Sequence, residues 1–419
     1  MDELKPGAED PGSSSLARRA LALAGEYRGP VALVVVLVVG ILVGGKTPDG
    51  RPIFLTGSTH VSVFFEYAEY GILAAGMTLV ILTGGIDLSV GSVLGLSSVV
   101  FAILTLGCGW PSQLAALAAA GVGAACGLIN GLLISRLRFQ PFVATLAMMV
   151  VARGLAKQVS GHRKITPALD EWYHVRSGAE MPAIYKGMMS PLAKGGVALA
   201  ILIIPALIVA VALFLRHTSA GRALRAKLFG SSPSGRAAEA ALSVAAWAVA
   251  LGLTVWGLAP YVQPASFLFV SSLLAMAVVV KVTRFGRHLY AIGGNEEAAR
   301  LSGVPVARSK ILAYVLCGLF SGLAGIIATC RLQLGNPEAG STYELDAIAS
   351  VVIGGTSLMG GRGSVVLTLV GALIMGYANK ILSNIQIHGQ FLQDGAKLLA
   401  KGMIIVLAVL VQEARRRRA

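Results

Sequence analysis

Charge is scarce in this chain. Asp, Glu, Lys and Arg make up only 13% of its 419 residues, about half of what a soluble domain carries. Cysteine is scarce too. Cys108, Cys126, Cys317 and Cys330 lie in or beside apolar runs without metal-type spacing, and read as small core residues. The 6 histidines are scattered. There is no HExxH, no GxSxG elbow and no His or Cys cluster, so nothing points to a metal site, a bound cofactor or covalent catalysis in this chain. Acidic residues number 20 against 35 basic ones, a net charge of +15. Such an excess could meet nucleic acid. Its placement excludes that reading, because Lys and Arg gather in particular connecting segments and at the C-terminus, as the positive-inside rule produces.

What the chain has in abundance is apolar sequence. It is 55% hydrophobic with a mean hydropathy of +0.75, in repeated runs of about 20 residues, the length that crosses a bilayer. Its 51 glycines suit close helix–helix approach in lipid. The expectation is an all-α polytopic membrane protein of about twelve segments (10–12), some broken at Gly-rich turns. The runs fall at 30–45, 59–83, 86–107, 112–134, 140–160, 196–215, 238–258, 265–282, 309–330, 343–359, 364–386 and 396–412. They form a single transmembrane domain over 30–412, between a polar tail at 1–29, expected disordered, and a basic tail at 413–419. No cleavable signal peptide is evident, and the first run reads as a signal anchor.

Alternate connections set the orientation. With both termini on one side, that side collects about 22 Lys and Arg, including those of the 216–240 and 283–309 loops. The other side, with the 161–195 segment, collects about 8. Both termini and both loops are therefore expected in the cytoplasm, and 161–195 outside.

One run is a decoy. Gly40-x-x-x-x-Gly45-Lys46-Thr47 satisfies the phosphate-loop pattern, but that loop needs a strand before it and a helix opening after it. Here an apolar span precedes, and Pro48-Asp49-Gly50 follows. Any ATPase must be borrowed.

The stretch from Gly286 to Gly303 is a polar island. It predicts a two-turn helix on glycine hinges Gly293 and Gly294, with Asn295 as N-cap. Glu296 and Glu297 suit its positive end. Ala298, Ala299 and Arg300 follow, Gly303 takes the left-handed closing position, and Pro305 forbids continuation. Read locally, an ordinary connecting loop would fit as well.

Two glycine-broken stretches echo each other. Gly84-Gly85-Ile86-Asp87-Leu88-Ser89-Val90-Gly91 aligns with Gly354-Gly355-Thr356-Ser357-Leu358-Met359-Gly360-Gly361, both expected on the same side. Paired interruptions in two halves point to a transport pathway, though two unrelated turns would look the same. Asp87 or Ser89 can cap the helix that restarts, a role weighed above direct contact with a transported solute. Glu66, Glu69 and Tyr70 share a helix face by spacing, near the outer mouth of the second span, where they could meet a solute or lie in the headgroup layer. Glu344 and Asp346 could cap the segment at 343–359. Arg153 with Lys157, and Lys397 with Lys401, are expected to snorkel or pair with acids. Gly123-x-x-x-Gly127-x-x-x-Gly131 and Gly318-x-x-x-Gly322 read as packing faces.

Taken together, three runs resemble a known family: Met77 to Ser92, Gly286 to Gly303, and Glu344 to Ala349. The second resembles the EAA-type cytoplasmic loop of ABC importer permeases, and the whole is similar to the xylose/ribose permease group, closest to the xylose type. The extra span at 238–258 departs from the shorter ribose pattern. The resemblance implies a multi-pass permease of a bacterial inner membrane that translocates a monosaccharide, a pentose such as xylose. It also implies a homodimeric pathway and a cytoplasmic ABC ATPase, carrying the ATP and Mg, that grips Asn295–Gly303. A periplasmic sugar-binding protein would deliver the substrate. The competing classes are an ion-coupled secondary sugar transporter using Glu66, Glu69, Asp87 or Asp346 as a proton site, and a membrane receptor or scaffold.

Overall fold

The structure, a computed structural model, describes residues 28–47, 49–166, 182–189, 263–387 and 390–416. The spans expected at 196–215 and 238–258, the 216–240 loop, most of 161–195, residues 1–27 of the N-terminal tail and the last three residues lie outside them.

The helices follow the apolar runs: α1 (Arg28–Val43), α2 (Gly57–Glu66), α3 (Ala68–Leu82), α4 (Val90–Ala102), α5 (Ser112–Ser135), α6 (Pro141–Val159), α7 (Ala183–Met189), α8 (Pro264–Val282), α9 (Arg284–Gly294), α10 (Glu296–Leu301), α11 (Val306–Leu332), α12 (Tyr343–Ile353), α13 (Val365–Asn384) and α14 (Asp394–Arg416). Between α13 and α14, β1 (Gln386–Ile387) and β2 (Gln390–Phe391) form a two-stranded antiparallel turn. A π turn, Ile103–Gly107, continues α4 to the length of a span. Among the described residues six helices are long and apolar enough to cross a membrane, or seven if the bent pair α2–α3 is one span.

The chain is organised around α3. Every residue of it except Tyr70 is buried, as befits a helix apolar on all sides. Its neighbours are α11, α8, α12 and α13. Beside it α5 crosses α11 with backbones in contact. A Cβ on Gly123 would stand 2.3 Å from the Gly318 carbonyl oxygen, and one on Gly127 would stand 2.2 Å from that of Tyr314. Both glycine stripes are thus packing faces.

Three expectations need correction. The second span is not one straight helix but bends by 51° at Tyr67, between α2 and α3. The 343–359 run is helical only over the 11 residues of α12, about 16 Å long against a hydrocarbon core of about 30 Å. Before it runs irregular backbone, Gln333 to Thr342, lying along α4. Such backbone survives at membrane depth only where protein satisfies it. Here Asn336 N donates to Ser98 Oγ at 3.3 Å, and Arg153 donates to the carbonyls of Pro337 and, at 2.9 Å, Ala339. Arg153 is thus held by backbone carbonyls with Glu338 and Glu344 near its charge, and Lys157 pairs with Glu338. Third, the polar island holds two helices, not one, because α9 fills what reads as loop.

The phosphate-loop decoy dissolves. Its first half is the end of α1, where Phe54 packs into a notch that Gly40 and Gly44 leave open. Lys46 then pairs with Pro52 across a turn.

Candidate functional site

The expected capped helix is present as α10. Asn295 stands in extended backbone, and its Oδ1 accepts from Ala298 N at 2.9 Å, a cap worth about 1 kcal/mol. At the other end Gly303 takes φ +80°, while its amide and that of Val304 close on the carbonyls of Arg300 and Ala299. Six residues cannot hold a helix by propensity. The caps, the Glu297–Arg300 pair and a 2.6 Å bridge from Lys310 to Glu296 do so instead. The Arg300 hydrogen bond holds the Glu297 carboxyl below its usual value. The pair is therefore intact at pH above the ordinary glutamate range and is lost only as pH falls through the lowered value. Glu296, Glu297, Ala298 and Arg300 are exposed, and Leu301 is 78% exposed at the tip. Sequence patterning attached no role to Leu301, which stands bare among the charged residues of α10.

The two glycine-broken turns meet, and both meet the end of α9. Gly361 N donates to Leu82 O at 3.0 Å, and the Gly84 backbone lies against the Met359 carbonyl. Tyr290 on α9 donates to Gly363 O at 2.9 Å. Gly354 sits on the Leu367 backbone, Gly355 takes φ +94°, Ser357 N donates to Arg362 O at 2.9 Å, and Thr356 is buried. Gly85 leaves room for the Tyr314 ring oxygen.

Asp87 is fully enclosed. Its Oδ1 accepts from both Ser89 N (2.9 Å) and Ser89 Oγ (2.6 Å), and Asn130 Nδ2 donates to the same Ser89 Oγ at 3.0 Å. Asp87 thus fixes the residue at which α4 restarts, while Ser89 occupies the cap position without capping by its side chain. Asp87→Ala leaves these buried donors unmet, at about 1–3 kcal/mol, so the folded yield from membranes should fall. A well-folded variant with altered sugar preference would assign Asp87 to substrate instead.

The bend at Tyr67 separates the acids expected on one face. Glu66, at the end of α2, pairs with Lys380 at 3.1 Å. Glu69, on α3 and wholly buried, takes a two-point bond from Arg331 (2.7 and 3.2 Å). Tyr70 stacks between Tyr67 and Tyr343, with ring centres 4.7 and 4.1 Å apart. Asp346 pairs with Lys401 of α14 at 3.2 Å rather than with the start of α12, where no side-chain cap bond forms. Among the described residues no group of three or more His, Cys, Asp or Glu is arranged to hold a metal ion.

Residues 60–232 and 227–411 match the family described as branched-chain amino acid transport system / permease component. The chain belongs to this family. The permease is 33% identical over 380 residues to the ribose import permease protein RbsC of Escherichia coli K12, covering 91% of this chain and 92% of that one. It is 34% identical over 378 residues to RbsC of Bacillus subtilis 168, with 90% and 89% covered. It is 35% identical over 375 residues to the xylose transport system permease protein XylH of Escherichia coli K12, with 89% and 88% covered. No solved structure matches. The permease thus joins a family of membrane transport components.

Proposed function

We propose that this chain is the membrane subunit of a bacterial ABC importer for a monosaccharide, a pentose such as ribose or xylose, in the inner membrane. The observation that carries the reading is α10: a capped, charged, exposed helix that ends in a bare leucine and is joined through α9 to both glycine-broken turns. In this reading a cytoplasmic ATPase, holding the ATP and Mg itself, docks on Asn295–Gly303. A periplasmic sugar-binding protein presents the substrate at the outer face. Two copies of the chain enclose the pathway, and the turns at Gly84–Gly85 and Gly354–Ser357 gate it. Near-equal identity to ribose and xylose permeases supports the pentose class.

The ion-coupled alternative finds less support. Glu66, Glu69 and Asp346 are each held by a basic partner, and Asp87 is spent on Ser89. Uptake in cells decides between the two. It should stop on ATP depletion and continue when a protonophore collapses the proton gradient. The opposite pattern would overturn the importer reading.

A further inference from the structure

Three chain segments meet at the Leu82–Gly84, Gly293–Gly294 and Gly360–Gly361 backbones, with no side chain between them. A Cβ on Gly293 would fall 2.0 Å from Leu82 O and 2.2 Å from Gly361 N. One on Gly360 would fall 2.6 Å from Gly84 N and 3.0 Å from Gly293 Cα, and one on Gly361 would fall 2.7 Å from Gly294 N. Gly84, Gly360 and Gly361 also hold φ of +78°, +82° and +68°, where a side chain would be strained. The Gly361–Leu82 hydrogen bond and the Tyr290–Gly363 hydrogen bond fasten the junction.

Side chains yield to a push by changing rotamer, whereas backbones in contact do not. α10 itself touches the rest of the fold lightly, through the Lys310–Glu296 bridge and its covalent links to α9 and α11. α9 ends in the junction. On the far side of the junction lie the end of α3, the Gly84–Ser89 turn that starts α4, and the turn joining α12 to α13.

We propose that Gly293 is a positioning residue for transport: through it the α9–α10 unit moves the two glycine-broken turns together as one rigid body. This rests on the reading that an ATPase docks on α10 and adds the route by which the docked motion reaches the pathway. Such a route has to be a physically continuous element that both sites bias.

The test is made on the permease reconstituted with its ATPase subunit and sugar-binding protein, reading sugar moved per ATP hydrolysed. Gly293→Ala should still capture the ATPase subunit, yet lose about tenfold or more in that ratio, within the usual range of coupling between sites. Gly318→Ala is the structural control. Its Cβ would be as crowded, 2.2 Å from Gly123 O, but against α5 rather than in the junction. It should lower the folded yield and leave the ratio of the folded fraction unchanged. A wild-type ratio in Gly293→Ala, or an equal fall in Gly318→Ala, overturns the proposal.

A second measurement needs no mutation in the junction. Spin labels on cysteines at Ala291 and Met359, both exposed, should keep their separation between nucleotide-free and ATP-bound states to within about 1–2 Å, the scale of a small helix shift. A larger change refutes the rigid unit. Failure of the unaltered permease to capture the ATPase subunit would count against the docking reading itself, whereas capture with a changed label separation would count against the junction alone.

Discussion

Glu297→Lys is expected to abolish ATP-driven uptake while the amount of inserted permease stays unchanged. Asn295 still caps α10, so the helix start survives. What changes is its face. The Glu297–Arg300 pair becomes two adjacent cations on an exposed surface, and the new charge opposes the positive end of the helix. A partner built to meet an acid there would face like charge, which costs several kcal/mol at an interface. Substrate-dependent ATP hydrolysis and uptake, measured side by side in vesicles, should both fall to the level seen without the ATPase subunit. Unchanged transport would remove α10 from the coupling route.

Arg331→Ala carries the largest expected loss of stability. Glu69 is fully enclosed and its carboxylate is met at both oxygens by Arg331. Removing the guanidinium leaves a buried charge unpaired, at about 3–5 kcal/mol. The double replacement Glu69→Met with Arg331→Met should recover much of that loss, since the charge goes with its partner. Thermal unfolding in one detergent checks both. If the double variant is as unstable as the single, packing rather than the ion pair explains the loss. The pair also sits beside the Tyr67–Tyr70–Tyr343 stack, so the single variant should loosen the junction of α2, α3 and α12 first.

What the sequence disclosed and what it hid follow from the range of each interaction. Asn295, Gly303 and the helix between them were legible because a cap, a dipole and a left-handed glycine act within six or seven residues. The echo between Gly84–Gly91 and Gly354–Gly361 was legible as a likeness, and the two turns prove to be neighbours in space. Glu69 gave no sign of Arg331, 262 positions away. The bend at Tyr67 has no proline or glycine to announce it. The shortness of α12 went unread although the glycine-broken stretch Gly354–Gly361 that ends it stood in the sequence. Two signals were available and unread. Phe285, Leu289 and Ile292 recur at helical spacing and mark α9, with the last two buried. Gly335, Asn336, Pro337 and Gly340 form a turn-rich cluster that marks the irregular stretch Arg153 holds.

The central claim is that α10 faces the cell interior and bears on a separate motor. Leu301→Cys, in a chain whose exposed Cys108 is replaced by serine, places a thiol at the exposed tip of that helix. A membrane-impermeant maleimide should label it in inside-out vesicles, spare it in intact cells, and be blocked when the ATPase subunit is bound. Labelling from the outside of intact cells, or labelling indifferent to the bound ATPase, would contradict the account.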